Sequence, residues 1–209
     1  MESSEGIFHV LRCNIPTGGK FYIVYRWYVE IFPYINTVSP QIEDTFRQEE
    51  KLMKKITYQD IADYFIALSN ESHELISNLK LQKLVYYTQA WFLAVFKHPL
   101  FEATFKAWVH GPVIPQLYHE YKKFSWMPIQ KEVGEEHIRK VREQLADDER
   151  DLLDDIVNEY FGIGAFELER MTHAEVPWQK ARSGLSEDDT SSPTIHNEWM
   201  KSYYAQFMK

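Results

Sequence analysis

The sequence predicts a mainly α protein: a compact single-domain helical bundle around a buried central helix, with at most a very small β element near residues 101-110. Three observations lead there. From about Leu79 to Lys97, apolar side chains cover nearly every face, and a helix without a polar face belongs in a domain's interior. Apolar residues recur at spacings of three and four on either side of it, the period of amphipathic helices. Beyond residue 53, the stretch Phe101 to His110 alternates with period two, the mark of an extended segment.

Residues 1-52 do not match the rest of the chain and read as a loosely ordered N-terminal extension ahead of a domain spanning 53-209. Gly18-Gly19, followed by aromatic and β-branched residues, suggests a hairpin turn, although His9 to Ile15 is a short partner strand. Gln48-Glu49-Glu50 written as CAG-GAG-GAA would form a purine-rich ribosome-binding sequence two codons before Met53. A translation start at Met53 is therefore the competing expectation for this segment.

From Met53 onward the elements come in order. Thr57 with Asp60 makes a weak capping box, and Ile61, Tyr64, Phe65 and Leu68 form one helix face. Ser69 to His73 is a turn, and Ser77 or Asn78 caps the central helix. That helix carries Leu81, Leu84, Val85, Thr88, Phe92 and Val95 on one face. Tyr86, Tyr87 and Trp91 add aromatic surface, read as core ahead of a binding face. Gln89, polar inside such a helix, requires a buried hydrogen-bond partner. His98-Pro99 ends the helix. Gly111-Pro112 breaks the extended piece, and Pro115 opens a helix whose inner face is Leu117, Tyr121 and Phe124.

Glu132 to Glu159 holds eleven acidic residues against Arg139, Lys140, Arg142 and Arg150, a balance of -7. Within it, Leu152, Leu153, Ile156, Val157, Tyr160 and Phe161 make an amphipathic stripe, with Asp147 or Asp148 as cap and Gly162 as a left-handed terminator. A solvated helix face is the plain reading of that charge; an acidic docking face for a basic partner is the sharper one. Ala165 to Met171 is helical, and Pro177 opens a short helix with Trp178 and Ala181 facing inward. Ser183 to Ser192 is a polar, mobile loop. Ser192-Pro193 caps a last helix whose inner residues are Ile195, Trp199, Tyr203 and Phe207.

Composition narrows the function. With 209 residues, 44% hydrophobic and 15% aromatic, the chain has ample material for a core. A net charge of -8 disfavours nucleic-acid binding by the bulk surface. Cys13 is the single cysteine, so neither an intrachain disulfide nor a thiolate zinc site is expected. The most apolar run, Phe21 to Ile35, contains Arg26, Glu30 and Pro33, whereas a membrane span needs about 20 nearly uncharged residues. Acidic Glu2 and Glu5 do not suit a signal peptide. A soluble cytoplasmic protein is the expectation.

No catalytic constellation emerges. His110, His119, His137, His173 and His196 form no i, i+4 pair and no HExxH. His173 and Glu175 stand two apart, a pairing more often structural than catalytic or metal-binding. There is no Walker A, GxGxxG or GxSxG pattern, and no helix is basic enough to read DNA. No catalytic, cofactor-binding or metal residues are therefore expected, and the chain does not read as an enzyme.

Three blocks in sequence are more specific. Lys80, Leu81, Lys83, Leu84, Tyr86 and Tyr87 form the first. Trp108, Gly111, Pro112, Pro115 and Tyr118 form the second. Leu168, Thr172, His173, Glu175, Pro177, Trp178, Ala181 and Arg182 form the third. Together, over about 56-207, they resemble the Panacea domain family, the SocA-like and GepA-like antitoxins of bacteria, phages and other mobile elements. Thr88, where the family has a small alanine, and Phe161, where Tyr-Gly is usual, depart from the pattern.

The resemblance implies an antitoxin of a type II-like toxin–antitoxin system. Such a protein neutralises a cognate toxin, encoded beside it, by direct contact. It implies a scaffold role for the motif residues and leaves the toxin-contacting residues unassigned, and a homo-oligomer stays open. Two alternatives remain: a phage or mobile-element regulatory protein, and a metal-dependent enzyme using His110, His173 and Glu175.

Overall fold

A computed structural model describes residues 8–14, 20–26 and 56–208. Strands β1 (Phe8–Asn14) and β2 (Lys20–Arg26) pair antiparallel, with Phe8 opposite Arg26 and Asn14 opposite Lys20. A partner strand for the hairpin therefore exists. Its turn at Gly18-Gly19 and the start signal at Met53 lie outside the described residues.

From residue 56 onward, eight α-helices and a three-stranded sheet surround one apolar core. Helix α1 (Tyr58–Ser72) begins with the expected capping box: Asp60 N donates to Thr57 Oγ1 at 3.2 Å, and Thr57 N donates to Asp60 Oδ2 at 3.0 Å. Helix α2 (Asn78–Phe96), capped by Ser77, is the predicted spine. Seventeen of its nineteen residues are buried, which explains why its sequence shows no polar stripe. The buried set includes Lys80 and Lys83.

Gln89 finds its partners where the chain leaves α2. Its Oε1 accepts from Leu100 N at 3.1 Å and Phe101 N at 3.3 Å, and its Nε2 donates to Phe101 O at 2.9 Å. That use of the backbone at 100 and 101 shortens the strand. Only Phe105–Trp108 (β3) is paired, flanked by β4 (Gly111–Val113) and β5 (Thr194–Ile195). Gly111-Pro112 thus opens a second strand where a simple break was expected. Proline fits because β4 is an edge strand.

Helix α3 (Pro115–Tyr121) starts on its proline and buries Leu117 and Tyr121. Helices α4 (Glu135–Glu143) and α5 (Asp147–Ile156) carry the acidic stretch. The cap of α5 is Ala146, whose N–H donates to Glu149 Oε2 at 3.0 Å. Asp147 and Asp148 sit instead in the first turn, where carboxylates suit the positive end of the helix. A π-helical turn (Val157–Phe161) ends α5, and Gly162 follows at φ -74. The expected left-handed glycine is corrected: the widened turn already redirects the chain, so no reversal of φ is required.

Helices α6 (Ala165–His173), α7 (Val176–Ala181) and α8 (Asn197–Ala205) complete the bundle. The last helix begins later than Ser192-Pro193, at His196, because Thr194–Ile195 is engaged in the sheet. Its buried residues are accordingly Met200 and Tyr204, while Trp199 and Tyr203 are half-buried. The loop expected to be mobile is clasped by Arg182. That buried guanidinium donates to the carbonyls of Ser186 at 2.9 Å, Glu187 at 3.0 Å and Asp189 at 3.0 Å. Among the described residues, no helix is long and apolar enough to cross a membrane.

Candidate functional site

Two of the buried ionisable side chains meet at α2: Glu175 packs on it near its middle, and Lys83 belongs to it near its start. Glu175, the cap residue of α7, is 2% exposed. Its Oε1 accepts from the Tyr87 hydroxyl at 3.1 Å and its Oε2 from the Tyr204 hydroxyl at 2.7 Å. Tyr87 stacks on Tyr160, centroids 4.1 Å apart, and Trp91 Nε1 donates to the Tyr160 hydroxyl at 2.9 Å. Burial pushes the Glu175 carboxyl up to about 7, against the downward pull of the tyrosine hydrogen bonds. Tyr86, Tyr87 and Trp91 are fully buried around it. The aromatic cluster is core, as its sequence suggested.

The second group, Lys83, lines a groove of about 850 Å³. The groove lies among the start of α2, the β3–β4 turn, α3, the 125–126 connection and α6. Lys83 is 1% exposed and donates to the carbonyl oxygen of Pro112 at 3.1 Å. Burial brings its ammonium down to about 7, opposed by the field of Glu169. Glu169 itself is held by His110, Oε1 to Nδ1 at 2.8 Å.

Gly111 is required here twice over. Its φ is +92, and a Cβ would stand 2.8 Å from both Lys83 Cε and Thr172 Oγ1, and 2.9 Å from Lys83 Nζ. A polar chain fixes the neighbouring wall. Ile114 N donates to Gln82 Oε1 at 3.0 Å, Gln82 Nε2 to Asn78 Oδ1 at 3.2 Å, and Asn78 Nδ2 to Tyr118 O at 3.1 Å. Trp108 meets Tyr118 edge to face at 5.1 Å, and its indole donates to Ser192 Oγ at 2.7 Å. At the rim, Trp126 is 81% exposed and Phe166 82%.

The motif residues divide between groove and brace. Trp108, Gly111 and Tyr118 line the groove, with the Pro112 carbonyl and the Thr172 hydroxyl beside Lys83, and Pro115 starts α3. Leu84 and Tyr87 belong to the core, as does Pro177 to the buried face of α7. Lys80 is buried with its ammonium 5.2 Å from the centre of the Phe161 ring. Behind the sheet, His173 stacks on Trp178 at 4.1 Å, Trp178 Nε1 donates to Trp108 O at 3.0 Å, and Arg182 Nη1 to Ala107 O at 3.2 Å. These three hold β3, and with it Trp108, in place.

Glu175 is walled off by tyrosines, so it forms no shared site with His110 and His173. His110 is exposed on Glu169, His173 stacks on Trp178, and Glu175 is sealed by tyrosines. Among the described residues, no three His, Cys, Asp or Glu side chains are placed to hold a metal ion. Sequence reasoning missed Lys83 as a buried charge and Trp126 and Phe166 as rim residues. The signals were present: a lysine inside an apolar helix, and large aromatics flanked by polar or small residues.

Residues 81–179 match the family model described as Antitoxin SocA-like, Panacea domain. No curated protein and no solved structure matches the chain. The matched span is narrower than the sequence resemblance and leaves Lys80 and Arg182 just outside. It contains Lys83, Gly111, Trp126 and Phe166. The span that is similar to the antitoxin SocA-like Panacea domain thus includes the floor and aromatic rim of the groove.

Proposed function

We propose that this protein is an antitoxin that neutralises a cognate toxin by direct contact in the cytoplasm, and that the toxin docks over the groove. The observation that supports the docking site most is the rim. Trp126 and Phe166 are each about four-fifths exposed beside a concave, mostly apolar surface, and large aromatics seated by a pocket are typical interface anchors. The floor beneath them is braced by side-chain hydrogen bonds to the backbone of Ala107, Pro112, Ile114 and Tyr118. A preorganised surface loses less entropy on binding. A stable interface buries about 1,600 Å² in total, so flanking faces would join the contact. The acidic helices α4 and α5 would speed encounter with a basic toxin. The domain performing this task is taken as 53-209, with the toxin encoded in the neighbouring reading frame.

Co-expression tests the reading. The neighbouring gene product alone should arrest growth, this protein should restore it, and the two should purify as a complex. A harmless neighbour, or rescue without a complex, would overturn the proposal.

A further inference from the structure

We infer that the groove reads an acidic side chain: an Asp or Glu on an otherwise apolar segment of the partner protein enters between the aromatic residues and pairs with Lys83. The inference rests on the docking reading above and adds what the docked segment must contain.

Lys83 is the first reason. It is 1% exposed yet lines the groove, and the hydrogen bond it makes is to the neutral carbonyl of Pro112. An ammonium carries three donors, so donor capacity remains. Glu169, the carboxylate whose field reaches it, is already bonded to His110. The dehydration of this amine has occurred on folding, so an arriving carboxylate favours its protonated form and pairs with an ammonium stripped of water. Charge-assisted hydrogen bonds in such a setting are short and about twice as strong as neutral ones.

Charge contrast is the second. The groove lining contains Lys83 and Lys122 against Glu169, a balance of two minus one, or +1 with histidines neutral. The whole chain stands at -8. The groove is a local cationic exception on an acidic protein, which favours an anionic insert.

The walls supply the third. Trp108, Tyr118, Trp126 and Phe166 make most of the surface around Lys83 apolar. They exclude water from the pair and require apolar neighbours beside the inserted carboxylate. Gly111 completes the design, since any side chain there would occupy the space against Lys83 Nζ.

Peptide selection tests this without the toxin. A random peptide library displayed on phage is selected against the immobilised full-length chain, and the consensus is synthesised with its acidic residue and with the matching amide. The expected consensus places Asp or Glu next to aromatic or branched apolar residues. The amide should bind at least about 10-fold more weakly to the wild type. Lys83→Met should weaken the acidic peptide by a similar factor while leaving the amide peptide unaffected, and Trp126→Ala should weaken both. Should Lys83→Met not fold, the acid–amide comparison on the wild type decides alone. A consensus lacking an acidic residue, equal binding of acid and amide, or no selected peptide at all would overturn the inference. A harmless neighbouring gene would refute the toxin but not this specificity.

Discussion

Glu175 and Lys83 are both buried ionisable groups, one packed on α2 and one belonging to it, yet they sit in opposite circumstances. Glu175 is sealed: both oxygens accept from tyrosine hydroxyls inside a ring of stacked aromatics. Lys83 is buried but opens onto a groove, with a backbone carbonyl as its hydrogen-bond partner. The sealed charge specifies how α7 and α8 pack on α2. The open one leaves donors for something that arrives later. A buried charge whose partners are all internal is structural, whereas one facing a cavity with donors to spare is poised for a ligand.

The largest way to break that contrast is at Glu175. Replacing it by alanine leaves the Tyr87 and Tyr204 hydroxyls without their acceptor and opens a cavity, a loss of about 3 kcal/mol in denaturant unfolding. Near-neutral stability in this variant would contradict a structural role. The same group shapes the pH profile. Its folded pKa of about 7 lies above the ordinary 4.5, so its contribution is fully present below 4.5 and is lost as pH rises through 7. At ~1.4 kcal/mol per pKa unit, the swing is on the order of 3 to 4 kcal/mol. Lys83 acts in the other direction. Its folded pKa of about 7 lies below 10.5, so stability contributed by this group is present above 10.5 and lost as pH falls through 7. The two together give a stability minimum near neutrality. Glu175→Gln should flatten the acid limb and Lys83→Met the alkaline limb of melting temperature against pH.

Next in size is Gly111→Ala, which combines left-handed strain with a contact at 2.8 Å to Lys83 and Thr172. A destabilisation of about 2 kcal/mol is expected, measured by thermal or chemical denaturation. The smallest effect concerns the acidic face. Converting Asp147, Asp148 and Asp151 to asparagine should slow association with a basic toxin a few-fold at low salt and leave dissociation unchanged. Stopped-flow rates at two ionic strengths would show it.

Much of the fold was legible because periodicity and capping are local. The apolar run of α2, the Thr57–Asp60 box and the prolines at 115 and 177 each announced their element. Errors arose where distant residues decide. Ile195 reads as the first turn of a helix until β3, some ninety residues earlier, claims it as a strand. Gly162 reads as a helix stop until the π turn makes reversal unnecessary. The polar loop after Arg182 carries a further contact that no side-chain pattern reveals, since Arg182 bonds its carbonyls. The groove followed the same rule. Its motif residues were visible as a family pattern, but only the fold brings Lys83, Gly111 and Thr172 together and leaves Trp126 and Phe166 exposed beside them.

The most direct test of the account is the affinity of the proposed toxin, purified from the neighbouring gene, for the Trp126→Ala/Phe166→Ala double variant. Both side chains project into solvent, so melting temperature should scarcely change, since such surface substitutions typically move stability by no more than about 0.5 kcal/mol. Interface anchors contribute about 2 kcal/mol each, so dissociation constants measured by titration calorimetry should rise by a factor of about 100 or more, with growth rescue failing in parallel. Unchanged affinity with intact rescue would contradict the groove as the docking face.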